Sequence, residues 1–258
     1  MPVVLKERRE PIDDNTIIWR YFDLAKFLDL LENQILFFCR ADKFGDPLEG
    51  SLNRHWYNME KRMEKQFQPF FKGTPRSATS EYSRQDFFIS CWHKNDHENH
   101  AMWKIYGGST NSIAIISTVK QLRDCISSYE ILRDKFELDQ VYYIDYEKDD
   151  FEILPVKDRN YSRFFHKHKI YKYEQEVRGV IELPEEIIHD NGIEVRNNGL
   201  CVSINIKDIV NKIIVSPESP TWFYKLINSI VSSRYKLAIK VTLSEVDKEP
   251  LFGSSGDT

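Results

Sequence analysis

The segment Tyr173-Glu174-Gln175-Glu176-Val177-Arg178 carries two carboxylates and a guanidinium at alternate positions. On a strand, period-two alternation puts Glu174, Glu176 and Arg178 on one face and Tyr173, Gln175 and Val177 on the other. Two carboxylates on one strand face repel unless a cation or a ligand offsets them. Arg20, in Trp19-Arg20-Tyr21, is a candidate for that cation, and a guanidinium on a strand also clamps a phosphate or carboxylate bidentately. A glutamate pair opposed by Arg20 suits action on a ribose hydroxyl or stabilisation of an oxocarbenium ion. The same residues would also make a structural ion pair on a mixed-charge sheet face, and the sequence leaves both readings open.

Two further groups hold polar or aromatic residues at useful spacings. Asp46-Pro47-Leu48-Glu49 is a turn in which the carboxylates of Asp46 and Glu49 either brace loop amides or hold Arg20 or a metal. In Ser90-Cys91-Trp92 followed by Met102-Trp103 and Tyr106, a helix over His97–Tyr106 would set Trp103 and Tyr106 on one face as an aromatic floor for a base or nicotinamide. Aromatic residues at that spacing also commonly form core. His93, His97 and His100 recur like metal ligands, but Asn95, Asp96 and Glu98 read as a solvated turn and the HExxH order is absent. No metal site is assigned from the histidines.

The elements that must position these residues follow from hydrophobic periodicity. Strands are expected at Ile17–Tyr21, Ile35–Cys39, Phe87–Trp92, Ser112–Thr118, Gln140–Tyr146, Tyr173–Leu183, Ile193–Arg196, Leu200–Ile206, Lys212–Val215 and Leu237–Leu243. Asp23 is the expected N-cap of a helix with Leu24, Phe27, Leu28 and Leu31 at helical spacing, and Gly107-Gly108 supplies a helix stop. A charged helix is expected over Ser51–Phe70, an amphipathic segment over Thr221–Ser232, and a mobile loop over Lys72–Arg84, which has no apolar period. Strands outnumber helices and most neighbours are close in sequence. The expectation is an α+β protein with a mainly antiparallel, mixed sheet flanked by helices, forming a single domain over 1–258.

Composition excludes several classes. The net charge of −4 is spread along the chain, so nucleic acid is not an expected partner without a local basic patch. Cys39, Cys91, Cys125 and Cys201 show no CxxC pattern and read as reduced thiols. No apolar run approaches a membrane span and the N-terminus lacks a signal-peptide core, so a cytoplasmic location is expected. There is no GxxxxGK(S/T), GxGxxG or GxSxG, which removes the P-loop, Rossmann and α/β-hydrolase readings.

The chain resembles the bacterial domain-of-unknown-function family 2971. The matching pieces are Trp19-Arg20-Tyr21, the FGDPLEG loop at Phe44–Gly50, the SCW and MWKIYG pieces within Ser90–Gly107 with the following Ile113-Ala114-Ile115, and YEQEVR at Tyr173–Arg178. The resemblance implies a bacterial cytosolic protein of a kind often associated with phage-defence or toxin modules. A second resemblance is to ADP-ribosyltransferases, through an early strand Arg20, a middle strand Ser90 and a late Glu174-x-Glu176. That resemblance implies NAD as substrate, Arg20 on its phosphate or ribose, Ser90 ordering the site, Glu176 as the catalytic carboxylate and Glu174 as its partner toward the acceptor. Ser90-Cys91-Trp92 departs from the Ser-Thr-Ser usual in that family. Two alternatives stand beside it. One is an inert module in which Arg20, Trp103, Tyr106 and Arg178, with Tyr21 nearby, hold a nucleotide or a protein partner. The other is a divalent-metal hydrolase or nuclease using Asp46, Glu49, Glu174 and Glu176.

Overall fold

The computed structural model describes residues 11–51, 54, 57–58, 61–62, 65, 84–108, 111–148, 159–183 and 192–247. The loop expected over Lys72–Arg84 lies outside the described residues apart from Arg84, as does most of the helix expected over Ser51–Phe70.

In chain order, the first elements are strand β1 (Ile17–Asp23), helix α1 (Leu24–Asn33), β2 (Ile35–Arg40) and β3 (Phe87–Lys94). They are followed by β4 (Ser112–Thr118), helix α2 (Val119–Ser127), β5 (Phe136–Gln140), β6 (Tyr142–Ile144), β7 (His166–His168) and β8 (Glu176–Glu182). The last are β9 (Ile193–Arg196), β10 (Gly199–Ser203), β11 (Lys212–Val215), helix α3 (Thr221–Ser229) and β12 (Lys240–Leu243). The α+β class with mixed, mainly antiparallel pairing is the one read from the sequence.

The chain divides into two compact units, each drawn from separated segments. The first comprises Met1–Asp13, Leu36–Trp92 and Ile126–Ser203, and the second Asp14–Ile35, His93–Cys125 and Ile204–Thr258.

In the first unit β3 pairs with β2 antiparallel and with β8, β2 continues to β10 and β9, and β8 continues to β5 antiparallel. Its core gathers Ala41, Phe87, Ile89, Phe164, Phe165 and Val180. At the start of β10 the strands approach so closely that only a hydrogen fits. A Cβ on Gly199 would run into the Phe37 ring and sit 2.5 Å from the Phe38 carbonyl oxygen, which is backbone and cannot swing aside. Gly199→Ala is therefore expected to cost about 1–3 kcal/mol by overpacking, read as a lower denaturation midpoint with unchanged slope.

In the second unit β12, β11, β4 and β1 lie in that order, with β11–β12 parallel and the other pairs antiparallel. Asp23 caps α1 as expected, accepting the Lys26 N–H at 2.8 Å. The helix buries Phe27, Leu30 and Leu31 at i, i+3 and i+4 spacing and stops at Gln34, whose φ of 48° is left-handed. A second core joins Trp19 on β1 to Trp103, Ala114 and Ile214.

The strand expected over Leu200–Ile206 stops at Ser203 and the one expected from Leu237 begins at Lys240, and three further elements differ more. The strand expected from Tyr173 begins only at Glu176. Residues Lys169–Glu174 form 3-10 turns, and Gln175, at φ 44°, reverses the chain into β8. The helix expected over His97–Tyr106 is α-helical only at His100–Met102 and widens to a π-helix over Trp103–Gly107, ending on Gly108 at φ 68°. The strand expected over Gln140–Tyr146 breaks at Val141 between β5 and β6, because the Val141 N–H turns to the Glu176 carbonyl at 2.8 Å.

Candidate functional site

The first unit contains a buried network of five charged side chains. Arg178 on β8 is 0% exposed. Its Nη1 and Nη2 donate to the Glu49 carboxylate at 2.5 and 3.0 Å, Nη1 also to the Phe164 carbonyl at 2.7 Å, and Nε to Glu176 Oε2 at 2.5 Å. The other Glu176 oxygen accepts from Lys167 Nζ on β7 at 2.7 Å, and the same ammonium is hydrogen-bonded to Glu174. Tyr143 on β6 accepts the Glu176 backbone N–H at 2.8 Å, and the Tyr171 ring lies 4.7 Å from Lys167 Nζ.

Local sequence explains this convergence. Glu176 and Arg178 share a β8 face by strand alternation. Glu174 arrives there by another route, since the left-handed Gln175 turn brings it back beside Glu176. In the FGDPLEG loop the two carboxylates part. Asp46 braces the turn, accepting the Leu48 N–H at 2.9 Å, while Glu49 enters the core at 1% exposure and grips Arg178. Gly50, at φ 67°, passes against the Phe164 ring where a side chain would clash. The cations facing Glu174 and Glu176 are thus Lys167 and Arg178. Ser90, fully buried on β3, accepts the Trp92 indole N–H at 3.0 Å.

Burial works against every charge here, and the pairing decides which survive. Burial alone would raise the Glu176 carboxyl, but Arg178, a hydrogen bond from Glu174 and Lys167 outweigh it and hold Glu176 well below the usual carboxylate range. Burial would strip the Lys167 proton, and Glu176 and Glu174 reverse that. Burial raises the Glu49 carboxyl despite the pull of Arg178. It also pushes the nearby Cys91 thiol far up, aided by Glu176.

In the second unit Trp19 and Tyr21 lie on one face of β1. Arg20 alternates to the opposite face, with Ile18 and Phe22, its guanidinium 5.5 Å from the Phe22 ring. Tyr21 meets Trp103 edge-to-face at 4.9 Å and His93 at 6.5 Å, with its hydroxyl buried. Trp103 is buried and donates its indole N–H to Glu98 at 2.6 Å. Glu98 also accepts the Ser244 hydroxyl and the Glu245 N–H, the latter at 2.8 Å. Tyr106 is 45% exposed. The wider π-helical turn removes the shared i, i+3 face, so Trp103 and Tyr106 do not form the expected floor.

Among the described residues no group of three or more His, Cys, Asp or Glu is arranged to hold a metal ion. The carboxylates considered for one are engaged otherwise: Glu49, Glu174 and Glu176 with Arg178 and Lys167, and Asp46 with its own loop. His93 is buried, whereas His97 is exposed and pairs with Asp96 at 2.5 Å.

Lys167 and Glu98 were not legible as site residues. Lys167 sits in His166-Lys167-His168, a three-residue strand without apolar alternation, and Glu98 sits in a run that reads as solvated turn.

Residues 102–179 match the family model described as "Protein of unknown function (DUF2971)". The resemblance to that family is borne out over this segment, and the DUF2971 segment contains Trp103, Lys167, Glu174, Glu176 and Arg178 but neither Arg20 nor Glu49. No curated protein matches the chain. A solved structure described as Thermus sp. 2.9 DarT in complex with ADP-ribosylated ssDNA aligns over 92% of this chain and 98% of its own, at 7% identity and a TM-score of 0.41. A likeness at that level carries no statement about chemistry. Among the described residues no helix is long and apolar enough to cross a membrane.

Proposed function

We propose that the protein is an ADP-ribosyltransferase-like enzyme that cleaves the nicotinamide–ribose bond of NAD, with Glu176 as the reacting carboxylate. The observation carrying this reading is the setting of Glu176: it lies beside Glu174, is gripped by Lys167 and Arg178, and is held ionised in a buried site. A buried, preorganised carboxylate favours a reaction whose transition state develops positive charge on a sugar ring. As the C–N bond breaks, its electron pair leaves on nicotinamide and the ribose becomes oxocarbenium-like. Glu176 accepts a hydrogen bond from a ribose hydroxyl and offsets that charge. Glu174, beside it, is placed to take the proton from water or another acceptor. Arg178 fixes Glu176 in place, and Ser90, held by Trp92, orders the adjoining strand. The nucleotide-holding tasks expected of Arg20, Tyr21, Trp103 and Tyr106 belong to the second unit and are separate from this proposal.

One observation favours a second reading. Arg178 is completely buried and spends its donors on Glu49, Glu176 and Phe164, as a pure brace would in a module that binds a nucleotide without turning it over. The deciding experiment incubates the full chain with NAD and follows free nicotinamide by chromatography, with Glu176→Gln as control. Release that disappears in the variant establishes cleavage. NAD binding by calorimetry without release establishes the binding module.

A further inference from the structure

β12 is the terminal strand of the second unit's sheet and pairs with β11, so its outer row of backbone N–H and C=O groups has no strand to bond among the described residues. The parallel register sets Lys212 of β11 directly beside Lys240 of β12, and like charges on neighbouring strands repel. Neither ammonium has an ion pair or hydrogen bond among the described residues. From Ser219 to Ser244 the sequence holds four cations, Lys225, Arg234, Lys236 and Lys240, and no Asp or Glu, in a chain whose net charge is −4. Of the four, Arg234 alone has an ion pair among the described residues, with Glu32. Strand alternation sorts the edge into two faces. Lys240 and Thr242 lie on one, and the Thr242 hydroxyl is buried without a hydrogen-bond partner among the described residues. Val241 and Leu243 lie on the other, Val241 buried and Leu243 46% exposed. Helix α3 packs against β12 and exposes Trp222 and Leu226, one turn apart.

We infer that the β12 edge is a docking site for an extended, acidic segment of a partner protein, which adds to the sheet as a further strand. The charge and the pleat together select this occupant. Main-chain groups of the segment complete the outer ladder of β12, and side-chain alternation does the rest. Acidic side chains at every second position face Lys240, the neighbouring Lys212 and the Thr242 hydroxyl, and a carboxylate set against the two lysines removes their repulsion. The intervening apolar side chains cover Leu243. A phosphate backbone would match the cations, but it has no N–H and C=O row to continue the sheet. The site lies wholly in the second unit and is independent of the NAD-cleaving reading.

The test titrates the full chain into a fluorescein-labelled peptide of alternating Glu and Val, about eight residues long to match an ordinary strand, and follows polarisation. Binding is expected, weakening about tenfold in Lys212→Gln/Lys240→Gln and falling as salt is raised. The same peptide N-methylated at alternate residues, which cannot complete the ladder, should bind at least tenfold more weakly, as should a Lys-Val peptide. These peptide controls use the wild-type chain and serve even if the double variant does not fold. No binding of the Glu-Val peptide, or equal binding of its N-methylated form, would overturn the inference. So would tighter binding of a labelled oligothymidylate that the double variant loses, which makes the edge a polyanion surface, or self-association of the chain that the double variant abolishes, which gives the edge to a second copy.

Discussion

Arg178→Met is expected to lower the folding stability by about 3–5 kcal/mol, the usual penalty for removing one partner of a buried ion pair. Methionine fills much of the volume, so the loss is one of charge and hydrogen bonds and not of packing. Four hydrogen bonds go with the guanidinium: two to Glu49, one to Glu176 and one to the Phe164 carbonyl. Glu49, at 1% exposure, is then a buried carboxylate whose hydrogen-bonded cation has gone. For a chain of this length the loss corresponds to a fall in melting temperature of roughly 10 °C. Its pH dependence identifies the cause. With Arg178 present, Glu176 is held ionised and burial already raises Glu49; without it, Glu49 rises further and Glu176 keeps only Lys167 as a cation, so both shift upward. Proton uptake then favours the folded variant, so the deficit should narrow between pH 7 and pH 5. Thermal denaturation at the two pH values checks this, and an equal deficit at both would mean that the lost packing matters more than the charge.

Glu176→Gln is expected to reduce nicotinamide release by about 100- to 1000-fold, the scale measured when one preorganised electrostatic group is removed from a developing charge. The amide keeps the shape but removes the charge that offsets an oxocarbenium ion. It also turns a donor toward either Arg178 Nε or Lys167 Nζ, both of which donate to Glu176 in the native site. Because the charge matters most as the bond breaks, kcat and kcat/KM should fall together, with KM for NAD little changed. Steady-state kinetics with a folded variant decides the point. A rise in KM at constant kcat would make Glu176 a ground-state binding residue instead.

The candidate site was legible where its residues follow simple periodicity. Glu176 and Arg178 were placed on one face because β8 is a regular strand from Glu176 onward, and Asp23 was placed as a cap because one carboxylate before an amphipathic run has few other uses. Glu174 was placed beside them for the wrong reason. Strand alternation predicts that placement, whereas a 3-10 turn and the left-handed Gln175 produce it, and a positive φ at a glutamine leaves little trace in sequence. The aromatic floor failed because a π-helical turn shifts side chains by about one residue's angle, which a 3.6-residue reading does not register. Arg20 and Tyr21 were grouped as sequence neighbours although adjacent strand residues face opposite ways. Glu49 and Lys167 found their partners through tertiary contacts, and single-sequence patterns carry no such pairing.

The Glu49–Arg178 bond joins residues 129 positions apart. Arg178 has Glu176 two positions away on its own strand, whereas Glu49 meets this cation only across the fold, so as the protein is synthesised the FGDPLEG loop keeps its carboxylate in water until β8 has been made. Closing so long a loop is slow and entropically costly. An early collapse that buried Glu49 before Arg178 arrived would be penalised, and the bond thus acts as a checkpoint on the order in which the chain folds.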